Sequence, residues 1–430
     1  MDRDKLYALA GRRSVRAAVA VLFVCMHLFA FWRAGHDRLG LAFDDAPGEA
    51  PFFSDIHAPA TRGYPRQPHH WSRLVLSRWD AQHYIGTATR GLSGCPDHPD
   101  VPDGAFLDCG LGWLPGYGKA GGVLSSITGI APDFALVLIS LIAAFLINFM
   151  LTAPLVADRI GRFEAYAGLL AFNLFPTAFY LVAPYAEAAT LVLVIGGWWA
   201  ISKQRWLLAG ALIGAATALK AQAAAFALGA GLAMCWAAYV GYREKKPRWW
   251  WPLLGGPLCV WGQLATVVML KIFTGDFRAF FRARHAFGDQ QHWHRLIEPM
   301  NYIRGFHAQH LDMVMFTGVV AIMLLTLREV IAKLPRPEAI YIVASSFATL
   351  PMAIVAPLHW WGMNRYLLLC PLVFLGAGML ARRQRAFFIV WLVLCIGFYW
   401  HIELCSYVAQ GDPRICPCLG VTEFTMPFGS

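Results

Sequence analysis

Apolar runs of roughly 18–24 residues follow one another along most of this chain. The chain has 430 residues, of which 58% are hydrophobic and 14% are charged. In hydrocarbon, only helices and closed barrels satisfy every backbone hydrogen-bonding group, and runs of this length fit helices. The sequence therefore predicts an all-α polytopic membrane protein in which residues 1–430 form a single integral membrane domain.

Short clusters of Lys and Arg separate the apolar runs, at residues 12–16, 159–162, 203–205, 243–248, 328–336 and 382–385. Cytoplasmic connections of membrane proteins carry an excess of basic residues, so this alternation predicts a cytoplasmic N-terminus and about eleven transmembrane helices. The helices are expected near residues 17–33, 134–156, 164–182, 185–201, 206–220, 222–240, 250–273, 311–327, 338–356, 365–381 and 386–403. The clusters do not form one basic face, so nucleic acid is not an expected partner despite the net charge of +10.

Two connections on the outer side are long, at residues 34–133 and 274–310. Loops of this length are usually functional or carry their own structure. In the first, the residue pattern predicts amphipathic helices over residues 70–92 and near 119–130, with a turn-rich region between them. Cys95 and Cys109 bracket a small loop in that region. Either a disulfide in an oxidising compartment or two free thiols fits this spacing.

The stretch Ser-Arg-Trp-Asp-Ala-Gln-His-Tyr at 77–84 gathers ionisable and aromatic residues in the first outer connection. In a helix over residues 70–92, Asp80, His83 and Tyr84 share one face because they lie at i, i+3 and i+4. A charge near the membrane usually has a function, which makes Asp80 the first candidate for chemistry. The alternative is an exposed carboxylate paired with Arg78, which contributes little. His83 either bonds to Asp80 or a substrate, or is structural.

Three further charges stand at the ends of apolar runs. Glu187 lies in the first turn of a predicted helix, where it either complements the helix dipole or lines the path of an acceptor. Lys220 interrupts an apolar run, so it needs an anionic partner such as a phosphate, or it extends to the interface. Arg365 opens an apolar helix, where its guanidinium either binds a phosphate or anchors the chain at the interface.

Short segments in a characteristic order carry a resemblance to a known family. They are Arg-Trp-Asp-Ala-Gln-His-Tyr at 78–84, Phe-Pro-Thr-Ala-Phe-Tyr at 175–180, Ala-Pro-Tyr-Ala-Glu at 183–187, Arg-Trp-Leu-Leu-Ala-Gly at 205–210, Ala-Thr-Ala-Leu-Lys at 216–220 and Asn-Arg-Tyr-Leu-Leu at 364–368. With them the chain resembles the PIG-V-like mannosyltransferases, the GPI mannosyltransferase 2 family, and their bacterial relatives in the GT-C class. It departs from that pattern at 112–117, where Gly-Trp-Leu-Pro-Gly-Tyr replaces a Phe-Pro-Leu-Tyr-Pro-like stretch, and at Lys220, where the family often has Arg.

The resemblance implies a GT-C-like helix bundle that transfers a monosaccharide, with mannose the expected sugar, from a polyprenyl- or dolichyl-phosphate carrier. The acceptor is a lipid or a glycan on the non-cytoplasmic face, and the reaction inverts the anomeric centre. Asp80 is then the general base. The expected substrate-binding residues are Arg78, Trp79, His83, Tyr84, Glu187, Lys220 and Arg365, of which Lys220 and Arg365 neutralise the leaving phosphate.

The same resemblance leads us to expect no cofactor and no metal, and it leaves open the need for an accessory subunit. A bacterial inner membrane is favoured over the endoplasmic reticulum. The main alternative is a lipid or solute transporter or flippase, which predicts repeated halves and broken helices near the bilayer midplane. The sequence displays neither feature. Another GT-C enzyme with a different sugar donor would share Asp80.

Overall fold

The computed structural model describes residues 11–43, 80–92, 95–102, 105, 110–286, 310–355 and 363–399. Within these ranges the chain is helical and has no β-strand, which confirms the predicted all-α class. The α-helices are α1 Arg13–Phe43, α2 Ala81–Arg90, α3 Gly116–Thr128, α4 Pro132–Leu151, α5 Pro154–Ile160, α6 Arg162–Asn173, α7 Ala186–Ser202, α8 Trp206–Leu219, α9 Ala223–Arg243, α10 Gly255–Leu258, α11 Trp261–Thr274, α12 Ala279–Ala286, α13 His310–Lys333, α14 Arg336–Val355, α15 Met363–Leu367, α16 Pro371–Arg383 and α17 Arg385–Phe398.

Among the described residues, 6 helical segments are long and apolar enough to cross a membrane. They are Arg13–Ala34, Pro132–Ile160, Ala223–Arg243, Trp251–Thr274, Met313–Lys333 and Arg336–Ile354. Helices α7, α8 and α17 are apolar but shorter. These segments identify an integral membrane protein of the polytopic helical kind, while the number of eleven crossings stays a prediction.

Within the described residues, four of the predicted helices are interrupted: the one expected over 134–156 breaks at Thr152 and Ala153, the one over 250–273 breaks at Cys259 and Val260, and two more break as follows. The one expected over residues 164–182 ends as α6 at Asn173, and a 3₁₀ turn at Ala178–Leu181 follows. The one expected over 365–381 divides into α15 and α16, and Pro371 begins the second piece. Proline explains both breaks, because Pro176 and Pro371 lack a backbone N–H and disfavour helical geometry in the preceding residue. Both interruptions lie beside the charged cluster described below.

The helices pack against one another in neighbouring pairs. Helix α9 lies along α14, α7 along α8, and α6 along α16, while α4 contacts α1, α3 and α7. The short connection with Lys203 and Arg205 joins the C-terminal end of α7 to the start of α8. Glu187 and Lys220 therefore share the opposite end of this helix pair. The bundle thus has one end rich in basic connections and one end where Glu187 and Lys220 meet.

At the basic end, arginines neutralise two buried carboxylates. Arg159 pairs with Glu338 at 2.9 Å between Nη2 and Oε1, and Arg382 pairs with Glu164 at 2.8 Å between Nη1 and Oε1. The indole of Trp198 also donates to Glu338 Oε2 at 3.0 Å. The contacts of Glu338 join helices α5, α7 and α14, and the pair of Arg382 with Glu164 joins α6 to α16. We interpret both as structural contacts.

A buried polar chain holds the first helix in the bundle. His27 of α1 bonds to the Tyr399 hydroxyl at 2.8 Å and to Asn173 Oδ1 at 3.2 Å. Asn173 donates in turn to Asn148 Oδ1 at 2.7 Å. Because the amide oxygen of Asn173 only accepts, Nε2 of His27 carries the proton and Nδ1 accepts from Tyr399. A neutral imidazole on His27 therefore satisfies both of its hydrogen bonds.

Helices α2 and α3, in the connection between α1 and α4, are fixed on the end of the bundle opposite the basic connections. The Tyr117 hydroxyl donates to the Leu136 carbonyl at 2.8 Å, which ties α3 to α4. Glycines then let α2 approach α3 closely, since a Cβ on Gly118 would stand 2.8 Å from the Tyr84 carbonyl oxygen and one on Gly122 would stand 2.7 Å from the Ala88 carbonyl oxygen. The start of α2, where Asp80 lies, is held in place by this packing.

Candidate active site

Four charged side chains from four separate chain segments meet at the end of the bundle opposite the basic connections. Asp80 immediately precedes α2, Glu187 lies in the first turn of α7, Lys220 follows α8, and Arg365 lies in α15. Each is ion-paired with at least one of the others. The cluster holds two cations and two carboxylates, so it is formally neutral.

Arg365 is the centre of the cluster. Its Nη1 lies 2.5 Å from Asp80 Oδ2, and its Nε donates to Glu187 Oε1. The guanidinium carbon lies 4.7 Å from the ring centroid of Tyr185 and 5.1 Å from that of Tyr180. Aromatic faces stabilise a desolvated guanidinium. Its side chain is 14% exposed, so it borders accessible space without being a surface residue.

Glu187 is fully buried and takes two cations on one oxygen. Its Oε1 accepts from Lys220 Nζ at 2.7 Å as well as from Arg365. Its Oε2 accepts no hydrogen bond from the described part of the chain. The position of Glu187 in the first turn of α7 adds the favourable field of the helix dipole. The helix dipole and the two cations together account for a carboxylate in the interior of a membrane protein.

Lys220 lies where the long apolar run breaks. Its backbone is extended, with φ −149° and ψ 132°, between the end of α8 at Leu219 and the start of α9 at Ala223. The ammonium lies 5.6 Å from the ring centroid of Tyr366. The sequence predicted an anionic partner for Lys220, and the structure supplies Glu187 in that role.

Asp80 is the most accessible carboxylate of the cluster, with its side chain 25% exposed. It accepts hydrogen bonds from Arg365 and from the side chain of Trp113. Burial raises the pKa of Asp80, but the charge and hydrogen bond of Arg365, with smaller effects of His83 and Trp113, outweigh it and lower that pKa to about 2. Asp80 is therefore an ionised carboxylate at neutral pH.

Aromatic residues pack around Asp80. The rings of His83 and Trp113 are stacked, with centroids 3.4 Å apart and planes inclined by 9°. Tyr84 packs edge-on against Tyr117 at 5.2 Å and Tyr185 at 6.3 Å. Burial raises the pKa of Tyr84 well above its ordinary value, and the charge of Glu187 adds to the rise. The phenol of Tyr84 therefore stays protonated.

The structure brings most of the predicted site residues together. Asp80, Glu187, Lys220 and Arg365 form the ion-paired cluster, and His83 and Tyr84 lie beside it on α2. Arg78 and Trp79 lie outside the described residues, as does the part of the predicted 70–92 helix before Asp80. The described helix runs over Ala81–Arg90, so Asp80 precedes its first turn.

Sequence reasoning assigned no role to four aromatic residues of the site: Trp113, Tyr180, Tyr185 and Tyr366. A signal was present, because Tyr180, Tyr185 and Tyr366 belong to the segments that carry the family resemblance, and Trp113 lies where the chain departs from it. The order of residues along the chain does not indicate that these four aromatic side chains lie at one site. Trp113 contacts Asp80, Tyr180 and Tyr185 contact Arg365, and Tyr366 lies near Lys220.

Two other predictions concern metals and cysteines. Within the described ranges, no group of three or more His, Cys, Asp or Glu side chains is placed to hold a metal ion. Cys95 is disulfide-bonded, and its partner lies outside the described residues. The specific pairing of Cys95 with Cys109 stays a prediction.

Comparison of this chain with protein-family models, with characterised proteins and with solved structures finds no match. The class of protein defined by the fold is an integral, polytopic helical membrane protein.

Proposed function

We propose that this chain is a membrane glycosyltransferase that transfers a monosaccharide, with mannose the first candidate, from a polyprenyl- or dolichyl-phosphate carrier to a lipid or glycan hydroxyl. The observation that carries the proposal is the shared position of Arg365 between Asp80 and Glu187. It puts an accessible carboxylate beside a guanidinium that can bind a phosphate oxygen. A base and a phosphate-binding cation are the two groups that this reaction needs.

The chemical step is a single displacement. Asp80 takes the proton from the acceptor hydroxyl as its oxygen attacks the anomeric carbon, and the bond from that carbon to the phosphate oxygen breaks. The leaving phosphate keeps the bonding electron pair, and Arg365 and Lys220 neutralise the charge that develops on it. Attack opposite the leaving group inverts the anomeric centre. The proton ends on Asp80 and is released to solvent when the product leaves.

The charge count of the cluster suits a sugar phosphodiester. Lys220, Arg365 and the buried Glu187 together carry one net positive charge, which matches the single negative charge of such a donor. A bound phosphate would compete with Asp80 for Arg365. Because Arg365 is what lowers the pKa of Asp80, this competition would raise that pKa and make the carboxylate a better base. The donor is therefore expected to bind before the acceptor reacts.

The orientation of the bundle agrees with a lipid-linked donor. The cluster lies at the helix ends opposite the connections that hold Lys203 and Arg205, Arg243 to Arg248, and Arg382 to Arg385. Under the positive-inside rule those connections are cytoplasmic, so the cluster is on the outer side. Nucleotide sugars are cytoplasmic, which favours a carrier lipid as the source of sugar on that side.

The test is sugar transfer by purified protein in nanodiscs, with radiolabelled polyprenyl-phosphate mannose as donor and a membrane lipid extract as acceptor. Asp80→Asn is expected to lower the rate by roughly 10²–10⁴-fold, the usual contribution of a general base. Asp100→Asn is the matched control, because Asp100 is an exposed aspartate of the same outer region. Near-normal transfer by the Asp80 variant contradicts the mechanism. Absence of transfer by the folded wild type with any lipid-linked sugar contradicts the function and favours the transporter alternative.

A further inference from the structure

The two outer connections are joined by Arg282 of α12. Its Nη1 donates to the Pro99 carbonyl at 2.7 Å, and its Nη2 donates to the Val101 carbonyl. The same Nη1 lies 3.0 Å from Asp276 Oδ2, and Asp276 is only 4% exposed. We call Asp276, Arg282 and the carbonyls of Pro99 and Val101 the loop clamp. One guanidinium thereby links the connection after α11 to the turn region after α2.

The loop clamp sits on a well-defined turn. Asp276 Oδ1 accepts from the Arg278 backbone N–H at 2.8 Å, and the Thr274 hydroxyl accepts from the Asp276 N–H at 3.2 Å. Gly275 between them has φ +68°, and a Cβ there would stand 3.3 Å from the Asp97 carbonyl oxygen. The turn therefore requires glycine for both its conformation and its contact with the first outer connection. These bonds fix the carboxylate that orients Arg282.

An apolar cluster next to the loop clamp continues toward the charged site. Leu92, Leu111, Leu270, Ala279 and Ala283 are buried against one another, with Cys95 and Val101 packed beside them. Leu92 closely follows the end of α2, and Leu111 lies two positions before Trp113. Cys95 is also held by a disulfide. This apolar cluster thus joins α11 and α12 to two chain segments near Asp80. One is the end of α2, and the other is the segment that carries Trp113.

We propose that the loop clamp is a positioning device that holds Trp113 against Asp80 and His83. Trp113 has two contacts that matter at the site, a hydrogen bond to Asp80 and the stack on His83. The segment that carries Trp113 packs through Leu111 on the apolar cluster, and Val101, whose carbonyl accepts from Arg282, packs against the same cluster. The described partners of Arg282 are Asp276 and the carbonyls of Pro99 and Val101, all outside the charged cluster, so its effect on the site passes through the apolar cluster and Trp113. The consequence for catalysis rests on the proposed transferase function.

The first test does not depend on activity. Hydrogen–deuterium exchange in nanodiscs compares wild type with Arg282→Gln and with Arg278→Gln. Arg278 is the matched control because its side chain is 67% exposed and it pairs with the same Asp276 at the longer distance of 3.7 Å. We expect exchange over residues 110–117 to rise roughly tenfold in the Arg282 variant, as for the loss of a charge-assisted hydrogen bond, with helices α9 and α14 unchanged. Unchanged exchange over 110–117, or an equal rise through α9 and α14, overturns the proposal.

The second test separates positioning from a general structural role. With an active wild type, Arg282→Gln is expected to lower kcat several-fold with little change in KM for the donor, and Arg282→Lys to recover part of the loss. Because the Trp113 hydrogen bond lowers the pKa of Asp80, Arg282→Gln and Trp113→Phe should both move the acid limb of the rate profile to higher pH. Altered exchange with normal kinetics overturns the positioning role. An inactive wild type rejects the transferase proposal and leaves the exchange result standing.

Discussion

Arg365 and Asp80 are 285 positions apart in the chain, yet Nη1 of one lies 2.5 Å from Oδ2 of the other. The same guanidinium also binds the buried carboxylate of Glu187, which in turn binds Lys220. Uncompensated charges inside a membrane protein are costly, so such a network usually marks a functional site. Here it joins the connection between α1 and α4 to three helix ends of the bundle.

The pairing of Asp80 predicts a pH-dependent stability. The folded-state pKa of about 2 lies below the ordinary value of 3.8, so this stabilisation is complete above about pH 4 and is lost as the pH falls toward 2. About 1 kcal/mol is expected to be lost between pH 6 and pH 3. Thermal unfolding in detergent over that range measures it. Asp80→Asn lacks this component, so its stability should fall less steeply than that of wild type, and parallel curves would contradict the ion pair.

Arg365→Lys tests the bridging geometry of the guanidinium. Lysine keeps the positive charge but cannot reproduce a planar group that donates to two carboxylates at once. We expect transfer to fall by roughly 10²–10³-fold, as for the loss of an oriented charge-stabilising donor. Arg159→Lys is the control, since Arg159 also pairs with a buried glutamate but at the basic end of the bundle. Equal losses of transfer in both variants would assign Arg365 a structural role only.

Glu187→Gln leaves Lys220 and Arg365 without their shared buried anion. Breaking one partner of a buried pair costs about 3–5 kcal/mol, so a large fall in thermal stability is expected. Adding Lys220→Met removes the orphaned cation and should restore part of that stability. Glu244→Gln provides the comparison, because the Glu244–Lys246 pair is about half exposed and such pairs contribute about 0–1 kcal/mol. A double variant no more stable than Glu187→Gln would contradict this account.

Gly118→Ala tests whether close packing of α3 on α2 positions Asp80. The added methyl group would stand 2.6 Å from Thr87 Cβ and 2.8 Å from the Tyr84 carbonyl, so α2 must shift. In an unobstructed helix the same change stabilises by about 0.8–1 kcal/mol. Gly231→Ala in α9 is the control for an unobstructed helix, since its new Cβ meets nothing within 4 Å. Sugar transfer should fall in the Gly118 variant and not in the Gly231 variant. The nanodisc assay measures this with equal amounts of folded protein.

The sequence predicted the positions of most helices well, but it did not predict which charged residues pair with one another. The runs 222–240 and 338–356 appear as helices with nearby limits, because hydrophobic length is a local property, whereas 134–156 is divided into α4 and α5. Pro176 and Pro371 account for the breaks in the helices expected over 164–182 and 365–381, which the length of the apolar runs does not indicate. Lys220 was expected to need an anion, but its identity as Glu187 depends on how α7 and α8 pack.

Taken alone, the sequence determined that this chain is a polytopic helical membrane protein, because a bilayer admits long apolar segments only as helices with satisfied backbone bonds. It also singled out Asp80, Glu187, Lys220 and Arg365, since charges at the ends of apolar runs stand out in a chain of this composition. Only the tertiary structure decided that these four groups meet, and that Trp113 contacts Asp80 while its chain segment packs on α11 and α12. The reason is physical: ion pairs form over a few ångströms, and which helix ends come that close is set by packing across the whole bundle.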